Sequence, residues 1–188
     1  AELTPEGAVE LINYAPTTKP TGGGYWSGQY HVENLIKNAP LTPEHFRSIV
    51  EKGDPTNIGY IMQNPNVPAD LVADVAEKLP EIRDANLKRL IQRALLRAGT
   101  ITVDQMRDAM AVGDGYGISY DIFHYPELTA KLSPELLRMI PVKTGEELKK
   151  FLDFPNVPPD LAAELISKHW KQLKKYDLYE LLKNVKLP

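Results

Sequence analysis

Six helix starts written in one grammar constrain this chain more than anything else in its 188 residues. Let position zero be Thr4, Thr42, Pro68, Thr102, Ser133 or Pro158. The residue before it is always apolar: Leu3, Leu41, Val67, Ile101, Leu132 or Val157. The residue at +2 is always acidic: Glu6, Glu44, Asp70, Asp104, Glu135 or Asp160. Apolar residues follow at +4, +7 and +8, and only Pro141, at +8 of the fifth start, breaks the triple. Thr or Ser at zero accepts a hydrogen bond from a free N–H of the first turn. Pro5, Pro43, Pro134 and Pro159 sit at +1, where no intrahelical donor is needed. The acid at +2 faces the positive end of the helix dipole. The apolar residues at −1 and +4 staple the incoming chain to the helix, and +4, +7 and +8 share one face. Pro141 should end its helix early.

The starts are spaced by 38, 26, 34, 31 and 25 residues. Likeness runs past them. Residues 41–60, LTPEHFRSIVEKGDPTNIGY, align without gaps to 101–120, ITVDQMRDAMAVGDGYGISY. Thr42, Arg47, Gly53, Asp54 and Tyr60 match Thr102, Arg107, Gly113, Asp114 and Tyr120. Each Gly-Asp is read as the stop of a first helix. A shorter helix or 3-10 piece then leads to a proline bend at Pro65 or Pro126. A unit that recurs every 20–50 residues in this way buries its face on its neighbours, which predicts an α-solenoid of about ten to twelve short helices.

The two closest copies, NPNVPADLVADVA at 64–76 and FPNVPPDLAAELI at 154–166, resemble the leucine-rich repeat variant family. The resemblance implies stacked α- and 3-10 helices in a right-handed superhelix, here short and irregular, within one all-α domain over 1–188. The residues themselves divide the chain into an irregular N-terminal part over 1–40 with a Gly-rich loop at 20–31, repeats over 41–167 and capping helices over 168–188. The resemblance implies no single activity, because fold and function are separable. Some members hold an iron–sulfur cluster on cysteines, and this chain has no cysteine to do so.

Composition narrows the function. The absence of cysteine also excludes disulfides and zinc–thiolate sites, which fits a reducing compartment. No stretch approaches ~18 consecutive apolar residues, so no membrane partner is expected. The cytoplasm is the expected location, or a host cytoplasm or virion were the source viral. The net charge is −3, but it is uneven. Residues 81–98 carry five basic and two acidic side chains, and 168–188 carry six and two, within an otherwise acidic chain. Catalytic patterns are missing. His31-Val32-Glu33 has the His-x-Glu of zinc deaminases without the cysteines that complete them. Thr21-Gly22-Gly23-Gly24 lacks the Gly-Lys-Ser/Thr of a phosphate loop. The reading is therefore of a noncatalytic chain with no cofactor.

Three groups of residues are candidates for binding. Arg89, Arg93 and Arg97 form an i, i+4, i+8 stripe on the apolar-faced helix read over 84–98. Such a stripe can meet an anion, nucleic acid or acidic partner, and it can equally be a solvated face with local ion pairs. Arg47, Arg107 and Arg138 each stand at +5 of a unit. They would stack into a ridge in a solenoid, or pair with carboxylates of the next unit. Tyr25 and Trp26 follow three glycines, either in a bare linker or in a loop presenting aromatic anchors. A last helix is expected over 159–176, with Leu161, Leu165, His169 and Tyr176 inward and Lys168, Lys171, Lys174 and Lys175 outward. The favoured function is recognition of another protein, as an adaptor, inhibitor or assembly component, viral assemblies included. Nucleic-acid binding through the arginine stripe and the C-terminal lysines is the alternative. An enzyme with an unrecognised site stands third.

Overall fold

A computed structural model describes residues 4–7, 10, 27–52, 55–111 and 117–173 of the chain. Among them there is no strand; the protein is all-α. Ten α-helices run through these residues: α1 Ser27–Asn38, α2 Pro43–Glu51, α3 Pro55–Ile61, α4 Ala69–Ala76, α5 Ala85–Ala98, α6 Val103–Ala111, α7 Ile118–His124, α8 Pro134–Arg138, α9 Gly145–Leu152 and α10 Pro159–His169. Residues 5–7 are helical as well. Single 3-10 turns occupy Leu79–Glu81, Pro126–Leu128 and Trp170–Gln172. The chain divides into two compact units, Ala1–Ala94 and Leu95–Pro188, and the boundary falls inside α5.

All six starts open helices at the expected positions. The Thr4 hydroxyl accepts from Gly7 N at 3.2 Å and the Ser133 hydroxyl from Leu136 N at 3.3 Å. Thr42 and Thr102 make reciprocal caps. Thr42 Oγ1 accepts from His45 N while His45 Nδ1 accepts from Thr42 N, both at 3.4 Å. Thr102 exchanges the same pair of bonds with Gln105 at 3.2 and 2.9 Å. Pro68 and Pro158 have no side chain that can cap, and the backbone alone opens α4 and α10 there.

The apolar code sorts by depth. At +4, Phe46, Val72, Met106, Leu137 and Ala162 are all buried, and so are Ile49, Val75, Ala109, Ile140 and Leu165 at +7. Among the described residues, position +8 is buried only at Ala76. In the first unit, Ile36, Phe46, Ile61, Met62, Val72 and Ile91 build the centre. In the second, the Phe151 ring is tilted against Phe154 at 5.1 Å between centroids, and Phe154 stacks on Phe123 at 6.1 Å. Helix α8 has only five residues and stops three short of Pro141. Leu96, on the side of α5 opposite its main apolar face, is fully buried, so this helix is covered on two sides.

The end differs from the expected long helix. Helix α10 stops at His169, and Leu173 is extended after the 3-10 turn. That turn sets the Gln172 carbonyl so close to Gly145 that a Cβ there would lie 2.8 Å from it. The turn therefore seats on the bare N-terminal residue of α9. Tyr176, Lys174, Lys175 and the remainder of 174–188 lie outside the described residues, as do the Gly-Asp pairs at 53–54 and 113–114.

Candidate functional site

Each unit carries a cleft beside the same repeat positions. In the first unit, α3 packs on α1 and lies against α5. Gly59 is buried, and a Cβ on it would stand 3.3 Å from Leu90 Cδ1 and 3.7 Å from Leu87 Cδ1. The missing side chain lets α3 come near α5. Tyr60 and Gln63 then line a cleft of about 430 Å³ with Glu33 and Lys37 of α1 and Leu87, Arg89, Leu90 and Arg93 of α5. The Lys37 ammonium pairs with Glu33 and stands 5.4 Å from the Tyr60 ring centroid. Asp84, on the rim, accepts from Leu87 N at 2.8 Å and so caps α5. Both acids of this cleft therefore have local duties.

In the second unit, α7 supplies Ser119, Tyr120 and Phe123 to a cleft of about 340 Å³. These stand at +17, +18 and +21 of their repeat, as do Gly59, Tyr60 and Gln63. The opposite wall is Pro141, Lys143 and Thr144 with Glu146, Glu147 and Lys150 of α9. The His124 ring stacks on Tyr120 at 3.8 Å, and its Nδ1 lies 2.8 Å from the Tyr120 carbonyl. Glu147 is spent on capping: its Oε2 accepts from Lys143 N at 2.7 Å and Thr144 N at 3.1 Å. Tyr120 and Tyr125 are each 40% exposed. Trp170, elsewhere on this unit, is 50% exposed with the Lys171 ammonium 5.7 Å from its ring.

The three arginine sets separate. Arg89 and Arg93 line the first cleft, half-buried, one turn apart. Arg97, on the last turn of α5, does not line it. All three are engaged by other groups of the chain. Arg47 of α2 pairs with Asp70 of α4 and reaches Asp74 at 3.9 Å. Arg138 of α8 pairs with Asp160 of α10 and reaches Glu164 at 3.9 Å. The two joints use the same repeat positions: +5 to the +2 and +6 of the next start. Arg107 instead pairs with Asp104 of its own helix. The following start offers Glu135 at +2 but Met139 at +6, and it begins 31 residues on rather than 25 or 26. Hydrogen bonds from Arg47 and Arg138 hold the carboxyls of Asp70 and Asp160 below the usual carboxylate range. Glu44 is lowered too, by its own backbone N–H first and by Thr42 second. Tyr25 and Trp26 lie outside the described residues.

Lys37 and Glu33 were not among the expected site residues; Glu33 was noted only in the incomplete His-x-Glu run, and Lys37 not at all. Tyr60 and Tyr120 were legible as matched positions of the gapless alignment. The second cleft's wall includes Thr144, whose Thr-x-x-Glu run is a capping-box signature before an apolar stretch. Among the described residues no helix is long and apolar enough to cross a membrane, and no three carboxylates or imidazoles converge as metal ligands. Compared with family models, curated proteins and solved structures, the chain returns no match.

Proposed function

We propose that this chain is a noncatalytic helical-repeat module that recognises another protein. The observation that carries the reading is the pair of clefts at equivalent repeat positions, each with a tyrosine on one wall and charges of both signs around it. Mixed charge beside aromatic surface suits a protein partner, whose own surface is mixed. A phosphate backbone instead asks for charge of a single sign. The architecture that goes with this function is a short, irregular right-handed solenoid of the leucine-rich-repeat-variant kind. The six helix starts, the recurring arginine joint and the interleaved 3-10 turns support it. Such repeats offer extended binding surfaces by construction. An adaptor, an inhibitor or a part of a larger assembly, in the cytoplasm, would use them in this way.

The alternative, nucleic-acid binding through Arg89, Arg93 and Arg97, makes an opposite forecast about salt. Titration of labelled duplex and single strand should show no binding near physiological salt, because the flanking stretches are acidic and the stripe is narrow. Binding that falls steeply with salt and disappears on Arg89→Gln/Arg93→Gln/Arg97→Gln would replace the protein reading with the nucleic-acid one. Partner capture followed by mass spectrometry, with Tyr60→Ala/Tyr120→Ala as comparison, is the positive test. A specific partner retained by wild type and lost by that variant is the expected result.

A further inference from the structure

Two neighbours at the end of α10 occupy the places that stability alone would reverse. His169 is 6% exposed, and neither of its ring nitrogens has a hydrogen-bond partner. Trp170, the next residue, is 50% exposed, more than any other large apolar side chain among the described residues. An exposed apolar residue by itself needs no explanation; beside a buried polar one it does. A buried polar group left unpaired is costly, and an indole left in water forgoes its burial. Folding stability favours neither placement, which is how a functional surface departs from a merely stable one. The backbone under the indole is well held. Trp170 N donates to Ile166 O, Leu173 N donates to Trp170 O at 3.2 Å, and the Gln172 carbonyl seats against Gly145. A side chain presented from such a turn needs little ordering on binding. Lys168 and Lys171 bracket the indole in the sequence, and both are exposed. Among the described residues no carboxylate pairs with either, and Glu164, one turn before Lys168, reaches Arg138 instead. The Lys171 ammonium stands 5.7 Å from the Trp170 ring centroid, and a ring without net charge leaves that of the lysine whole.

We propose that Trp170, with Lys168 and Lys171 beside it, docks an acidic surface of a partner protein, whose apolar side chains close round the indole and whose carboxylates meet the two ammonium groups. This rests on the protein-recognition reading above, and it adds a surface outside both clefts together with its partner's chemistry. Tryptophan is enriched among the few residues that dominate binding energy, while charges at a rim set the sign of the partner and the rate of encounter. A single nucleic-acid strand is tracked by successive aromatic platforms and a run of cations. One indole with two lysines is instead the pattern of a protein anchor and its rim.

The test is a selection from a random peptide display library on the full chain, followed by fluorescence-polarisation titration of the enriched peptides. The expected peptides combine Asp and Glu with apolar residues. Trp170→Ala should weaken them about tenfold or more and leave their salt dependence as it was, since it removes an uncharged anchor. Lys168→Glu/Lys171→Glu should weaken them as well and flatten the salt dependence. Lys78→Glu/Arg83→Glu makes the same charge change at exposed positions of the first unit. It should leave affinity unchanged at ~0.15 M salt, where charge is screened beyond ~8 Å. Circular-dichroism melts of every variant separate lost binding from lost folding, and the lysine variant carries the test if Trp170→Ala melts low. Enriched peptides that are not acidic, or that bind Trp170→Ala as well as wild type, overturn this proposal while leaving protein recognition standing. Recovery of no peptide overturns it too. If an oligo(dT) strand or vesicles of phosphatidylserine and phosphatidylcholine then bind wild type and not Trp170→Ala, the surface belongs to a nucleic acid or a membrane. Recovery of no peptide together with salt-sensitive duplex binding overturns the protein-recognition reading as well.

Discussion

Thr42 and Phe46 stand four residues apart and stabilise the same helix by different physics. Thr42 satisfies one backbone donor at an accessible end, so Thr42→Ala should cost ~1 kcal/mol. Phe46 is fully buried, so Phe46→Ala should cost roughly 3–5 kcal/mol through lost transfer energy and an unfilled cavity. Urea midpoints compare them directly, and equal shifts would contradict the burial of Phe46. Asn64 was less legible. It is fully buried; its Nδ2 donates to the carbonyls of Ile36 at 2.7 Å and Ala39 at 3.1 Å, while its Oδ1 accepts from Asn66 N at 2.8 Å. The echo in the sequence aligns Asn156 with Asn66, two residues away, and puts Phe154 at the place of Asn64. Yet it is Asn156 that donates to Ala130, the counterpart of Ala39. The same carbonyl is held from two different positions, which no one-to-one alignment of residues can express. Asn64→Ala should cost about 2–3 kcal/mol, more than the cap, because it strands buried polar groups. The joint carboxyls give a pH signature. Asp70 and Asp160 are depressed in the folded state, so their contribution is complete above the ordinary Asp range (~3.9) and is lost as pH falls through the folded values. The stability gap between wild type and Asp70→Asn/Asp160→Asn should therefore be widest near neutrality and close in acid. A gap that is constant with pH would mean that the pairs contribute nothing electrostatic.

At the scale of elements, the beginnings of helices were easier to read than their ends. Caps, prolines and staples act within four residues, so a local pattern contains all the physics. The end of α10 depends on where Gln172 meets Gly145, a contact between residues 27 apart, and local pattern is blind to it. Helix α5 is an exception, because its stop is local. Gly99 has φ +77° and closes the helix with Gly99 N and Thr100 N both donating to Leu95 O, at 2.9 and 3.1 Å. Its α-carbon also faces Lys131, whose Cβ would stand 2.8 Å from a new methyl group. Gly99→Ala combines a strained backbone with that collision and should destabilise by ~1–2 kcal/mol, with the near-side collision adding to it. A thermal melt at or above wild type would show that the loop shifts without cost. The clefts followed the same division. Their tyrosines sit at matched repeat positions and were visible in the sequence, whereas Lys37 joins Tyr60 only because α1 packs on α3.

For the whole molecule, the salient fact is that the boundary between the two units cuts α5 after Ala94, within a continuous helix. Ile91 and Ala94 are buried on one side of that point and Leu95 and Leu96 on the other. Gln92→Pro removes a helical hydrogen bond and adds a clash, a cost of ~3 kcal/mol or more. Hydrogen exchange should then quicken in peptides of both units; quickening in one alone would assign the helix to that unit. The arginine joints have a further consequence, for anyone wishing to lengthen the chain. They close across starts 26 and 25 residues apart and fail across 31, so the joint acts as a gauge that accepts a repeat of 25 or 26 residues. Residues 133–157 are one gauge length, a block that could be copied in tandem. Its second copy would present Glu135 to the preceding Arg138 but Met139 where the other joints have an acid. Met139→Glu in that copy would complete the fastening, so the protein comes close to supplying its own spare part.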